Sequence, residues 1–131
     1  MSINPQQFAH DEAWILFRLN DAPVETKADG DFHVYAIMDV ATGLIHGMEF
    51  SASCSDKISE FEAKKLLNSA QNKAGSFPKQ LYVDEAAQYA SVKRAASNLG
   101  IKTTPEHGKN LDPITKEARV GFNAHVGRGH R

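Results

Sequence analysis

Apolar residues fall into short runs separated by turn-forming words, and the spacing changes character at Ser59. Ahead of that point the runs are extended. Phe32-His33-Val34-Tyr35-Ala36-Ile37-Met38 is apolar enough to predict a central strand. Ala28-Asp29-Gly30-Asp31 separates it from Val24 to Lys27, and Asp-Gly between two extended runs is a hairpin signal. Ala41-Thr42-Gly43 then leads into Leu44 to Ser51, which completes a predicted meander of three antiparallel strands. Before the meander, Asn4-Pro5 is a cap-and-proline helix start, and Phe8, Ile15 and Leu19 keep a helical period to Asn20. The alternative there is a strand over Trp14-Ile15-Leu16-Phe17-Arg18-Leu19, because a short apolar run fits either period. Helix is the favoured reading.

From Ser59 onward helices and strands alternate. Ser59 with Glu62 forms a capping box, Ala63, Leu66, Leu67, Ala70 and Ala74 share one face, and Gly75 stops the helix. Pro78 precedes a short strand, Gln80-Leu81-Tyr82-Val83, ending at Asp84. A helix through Tyr89, Val92, Ala95, Ala96 and Leu99 closes at Gly100, and Ile101 to Thr104 reads as another strand. Thr104 to Leu111 reads as a loop, and Asp112-Pro113 as the start of a last helix carrying Ile114, Ala118 and Phe122. A meander followed by strand–helix units predicts an α/β fold, a mixed sheet with helices on both faces.

Composition narrows the class. At 131 residues, 41% hydrophobic and 24% charged, the chain suits one globular domain. No apolar run approaches the roughly 20 residues of a membrane helix, so no membrane partner is expected. The single cysteine, Cys54, excludes intrachain disulfides and cysteine-based zinc clusters. With no secretory signal in the first residues, the expected compartment is the cytoplasm. The net charge of −1 hides an asymmetry: Met1 to Val92 holds 7 Lys/Arg against 13 Asp/Glu, whereas Lys93 to Arg131 holds 8 against 3. A basic C-terminal third can meet phosphates even when the whole chain is nearly neutral. The six histidines show no metal-ligand pair on one helix face.

The order of elements, and four words within it, resembles the catalytic core of retroviral integrases and DDE transposases, a branch of the ribonuclease H-like fold. The words are Val34-Tyr35-Ala36-Ile37-Met38-Asp39-Val40-Ala41-Thr42-Gly43-Leu44-Ile45, Pro78-Lys79-Gln80-Leu81-Tyr82-Val83-Asp84, Leu99-Gly100-Ile101-Lys102, and Asp112-Pro113. The resemblance spans roughly residues 24–126. It implies a five-stranded mixed sheet in an integrase-like core over 24–126, which the residue pattern flanks with an N-terminal helical segment over 1–23 and a disordered tail over 127–131. It also implies a homodimer, since such cores commonly pair through helices.

The family's chemistry needs three carboxylates converging on two divalent ions, Mg²⁺ or Mn²⁺. They come from the first strand, the end of the fourth strand and the last helix. Asp84 matches the second position; the alternative is a strand-end aspartate capping a helix that starts near Ala87. Glu117, 33 residues on, is the candidate for the third, although aligning Asp112-Pro113 with the family's Asn-Pro moves that position to Val120. Counting back from Asp39-Val40-Ala41-Thr42-Gly43 puts Glu25 at the first position, with Asp21 as fallback. Asp39 ends an antiparallel strand at the other edge of the sheet and is expected to be structural. Glu25, Asp84 and Glu117 are thus the expected catalytic and metal-binding set. The resemblance implies an integrase-like, nucleic-acid-related domain, either without catalysis or as a metal-dependent polynucleotidyl transferase or nuclease. A scaffold domain unrelated to nucleic acid is the further alternative.

Overall fold

A computed structural model describes residues 5–20, 30–52, 58–86 and 89–129. Five strands form one mixed sheet: β1 (Ala13–Arg18), β2 (Phe32–Asp39), β3 (Ile45–Ala52), β4 (Gln80–Asp84) and β5 (Lys102–Glu106). Their order across the sheet is β3-β2-β1-β4-β5. The β1–β2 and β2–β3 pairs are antiparallel, and β1–β4 and β4–β5 are parallel. Among the described residues three α-helices accompany the sheet: α1 (Glu60–Ala74), α2 (Ala90–Asn98) and α3 (Gly108–Gly129).

The first strand corrects the N-terminal reading. The Asn4-Pro5 signal yields only a 3-10 turn, Pro5–Gln7, and the residues expected to continue a helix form β1. Ala13 to Phe17 are all buried because helices cover both faces of this central strand. Such a strand has no polar–apolar alternation, so its pattern does not differ from that of a buried helix. The strand expected over Val24 to Lys27 lies outside the described residues; β2 pairs on that side with β1, with Trp14 opposite Asp39 and Arg18 opposite Tyr35.

Alternation along the strands builds two cores. Trp14, Leu16, Tyr35, Ile37, Leu81 and Val83 pack under Ala63, Leu66, Leu67 and Ala70 of α1 and Val92, Ala95 and Ala96 of α2. Ala13, Ile15, Phe17, Val34, Ala36 and Met38 face the other way, toward Leu111, Ile114, Ala118 and Phe122 of α3. α1 begins as its sequence implies: Ser59 Oγ accepts from the Glu62 N–H and a Glu62 carboxylate oxygen accepts from the Ser59 N–H, both at 3.0 Å. Gly75 ends it at φ 96°, a left-handed value that favours glycine.

The C-terminal part is more regular than expected. Thr104 to Glu106 extend β5 instead of opening a loop, pairing with Tyr82 to Asp84. Pro105 is tolerated because β5 is an edge strand. α3 starts four residues before Asp112, so Pro113 lies inside it and leaves the Lys109 carbonyl without its intrahelical donor. The helix continues to Gly129, through part of the stretch expected as tail.

Candidate functional site

Parallel strands gather ligands beyond their C-terminal ends, and β4 delivers Asp84 there. Leu16 pairs with Val83, so one further step sets Phe17 of β1 beside Asp84. Both side chains project toward the α3 side, since Phe17 belongs to the α3 core and Asp84 follows Tyr82 by two residues. A cleft of about 150 Å³ opens at this point. Phe17, Arg18 and Asn20 line it from β1 and its exit, Asp84 from β4, and Asp112, Thr115 and Arg119 from α3.

Each polar group in the cleft already has protein partners. Asp84 Oδ1 accepts from the Ala86 N–H at 2.8 Å, closing a turn at the strand end. Its other oxygen lies against Gly108, where an added Cβ would come within 2.8 Å. Arg119 donates from Nε to Thr115 Oγ1 (3.0 Å) and from Nη2 to Asp112 Oδ1 (3.2 Å). Arg18 Nε donates to the Asn20 carbonyl at 3.1 Å. Buried Asn20 locks the end of β1 onto β2, its Oδ1 accepting from the Val34 N–H at 2.8 Å while its amide meets the His33 ring. Asn123 of α3 donates to the Leu19 carbonyl at 3.1 Å, tying the helix to the same exit.

The three expected site residues fare differently. Asp84 lines the cleft. Glu117 is exposed, half a helical turn from the 112–115–119 stripe that faces Asp84, and does not line it. Glu25 and Asp21 lie outside the described residues. The residue that β1 sets beside Asp84 is Phe17, only 6% exposed, and the strand Ala13–Arg18 contains no acid. Phe17, Asp112, Thr115 and Arg119 were not expected here. The strand alternative for Trp14 to Leu19 held the signal for Phe17, and Arg119 lies one turn after Thr115 on the apolar-flanked side of α3.

Asp39 stands at the other end of the neighbouring strand pair. Its carboxylate is fully buried and accepts from Thr42 Oγ1 at 2.7 Å, while its backbone N–H donates to Leu44 and its carbonyl accepts from Gly43. It shapes the β2–β3 turn, as expected.

No protein-family profile and no curated protein sequence matches this chain. Solved structures do. A chain of the simian T-cell lymphotropic virus intasome, determined by cryo-electron microscopy with the PP2A regulatory subunit B56 gamma, superposes with a TM-score of 0.63 at 17% identity. That match covers 86% of this chain and 37% of the intasome chain, so the likeness concerns little more than a third of the larger protein. The HTLV-2 integrase catalytic core, solved with magnesium in dimeric and trimeric forms, matches with a TM-score of 0.51 at 14% identity. It covers 82% of this chain and, respectively, 67% and 68% of that core. The fold is therefore that of an integrase catalytic core, ribonuclease H-like, with a five-stranded mixed sheet and three helices.

Proposed function

We propose that this chain is an integrase-like, nucleic-acid-related domain whose Asp84 cleft does not carry out metal-dependent phosphodiester chemistry. The observation that carries the reading is Phe17 beside Asp84, where the resemblance calls for the first carboxylate. A phenyl ring offers no lone pair to a hard cation, and Mg²⁺ and Mn²⁺ prefer oxygen donors. The charges around Asp84 point the same way. Arg18 and Arg119 bring two guanidinium groups into the cleft, and one of its two carboxylates, Asp112, is engaged by Arg119. A pair of divalent ions would meet two fixed positive charges and too few free oxygens. The residues present do not fit the group.

What remains is binding and assembly. Lys102, Lys109 and Lys116 are exposed on β5 and α3, in the basic C-terminal third, and supply phosphate contacts that do not depend on a metal. The domain pairs with a second copy of itself, as small cores of this kind gain stability from pairing. Fluorescence anisotropy with a labelled DNA duplex tests the reading. Binding that weakens steeply with added salt, with no strand cleavage in Mg²⁺ or Mn²⁺, is the expected result. Metal-dependent cleavage abolished by Asp84→Asn would overturn it, and no binding even at low salt would remove the nucleic acid from it.

A further inference from the structure

A second cluster of metal-ligating groups lies where β1 begins, at the end of β1 away from Asp84. His10, Asp11 and Asp39 bring one donor atom each within 4.8 Å of one another. Separations inside the cluster are 3.3 Å from His10 Nδ1 to Asp11 Oδ2 and 3.8 Å from His10 Nε2 to Asp39 Oδ2. These contacts use the two different nitrogens of the His10 ring, and one ion takes only one of them. Tetrahedral zinc with bonds of about 2.0–2.2 Å needs donors about 3.3–3.6 Å apart, so the one-donor-each set, within 4.8 Å, closes only if the His10 ring turns and the carboxylates draw in.

The two carboxylates are held as metal ligands are held. Asp11 Oδ1 accepts from Trp14 Nε1 at 2.9 Å and meets His46 Nε2 at 2.6 Å, which leaves Oδ2 turned to His10. Asp39 Oδ1 accepts from the Asp11 N–H at 3.1 Å, and Oδ2 faces both Thr42 and His10. Each carboxylate is thus oriented by protein donors, on Oδ1 for Asp11 and on both oxygens for Asp39, with its Oδ2 turned to the His10 ring, the outer support that orients ligating carboxylates.

His46 is the independent observation. Its side chain is 3% exposed, its Nε2 is aimed at Asp11, and its Nδ1 is buried without a hydrogen-bond partner. An imidazole sealed in this way makes its polar contact only toward the cluster, at the expense of a buried, unsatisfied nitrogen. Among the described residues no lysine or arginine pairs with Asp11 or Asp39, and the two histidines carry charge only when protonated. Two close carboxylates, one with no exposure to solvent, call for a fixed cation.

We propose that His10, Asp11 and Asp39 bind one Zn²⁺ ion, with His46 supporting Asp11 from behind and water in the fourth position. One imidazole and two carboxylates form a mixed nitrogen–oxygen set that suits zinc better than magnesium. The ion staples the segment before β1 to the β2–β3 turn. It is separate from Asp84, because β1 lies between them: Trp14 is opposite Asp39, whereas Phe17 is beside Asp84.

The test is calorimetric titration of ZnCl₂ into the metal-free full chain, with thermal melts and the visible spectrum of the Co²⁺ form. His10 is largely exposed, so His10→Ala keeps the apo fold, and each metal-induced shift is read against that variant's own metal-free melting temperature. Expected are one equivalent of saturable Zn²⁺ binding, a raised melting temperature and the intense visible bands of four-coordinate Co²⁺. His10→Ala should weaken binding by about tenfold or more, and Asp84→Asn should not change it. Absence of one-equivalent binding, wild-type affinity in His10→Ala, or loss of binding in Asp84→Asn would each overturn the proposal.

Discussion

At the residue scale, the contacts that Asp84 makes need no metal. Its carboxylate closes a turn onto Ala86 and sits against Gly108, next to a buried phenyl ring. Asp84→Ala should therefore cost about 0.5–1.5 kcal/mol, the worth of one hydrogen bond, in urea melts without divalent ions. Mutual repulsion in an acidic triad would give the opposite sign, since removing one charge would stabilise the fold. Phe17→Ala should cost about 3–5 kcal/mol, as expected for a core aromatic. Asp11 supplies a pH test. Burial raises its carboxyl pKa, but the Trp14 and His46 hydrogen bonds and the charges of His46 and His10 outweigh this and hold it below its ordinary 3.8. A lowered folded value gives stability that is present above 3.8 and lost as pH falls through that lower value. Replacing Asp11 with Asn should accordingly flatten the acid limb of the stability–pH curve.

At the element scale β1 decides the architecture. It is the central strand, buried on both faces, paired antiparallel to β2 and parallel to β4. Backbone amides of Ile15, Leu16, Ala36, Ile37 and Leu81 should exchange slowest with deuterium, near the rate of global unfolding. Rapid exchange in β1 with protection in the helices would contradict the sheet order. The elements with polar punctuation were legible in the sequence: the Ser59–Glu62 box, the Gly75 stop, the Thr42-Gly43 turn and the strand ending at Asp84 each have a local cause. β1 was not, because burial on both faces erases the period that tells strand from helix. That one ambiguity left Phe17, the β1 neighbour of Asp84, unread, and Glu25 came from a strand expected over Val24 to Lys27, outside the described residues. Glu117 was chosen by distance along the chain. Which face of α3 meets the cleft depended on a helix start at Gly108, and Asp112-Pro113 concealed that start.

At the scale of the whole molecule, the fold of an integrase core is joined to a cleft that sets Phe17 beside Asp84 and to a basic C-terminal third. Leu44, Met48 and Phe50 on and beside edge strand β3 are each half or more exposed, apolar surface that a second copy would cover. Sedimentation equilibrium at micromolar concentration should give roughly twice the monomer mass of 14.4 kDa. A single species at the monomer mass would remove the dimer. Whether the Asp84 cleft holds metal is decided by a Mn²⁺ thermal-shift series on wild type and Asp84→Asn, with His10→Ala as the background so that the His10–Asp11–Asp39 cluster does not contribute. The expected shift is the same, near zero, in both proteins. A Mn²⁺-induced rise in melting temperature that disappears with Asp84→Asn would show a working metal site at the cleft and contradict this expectation.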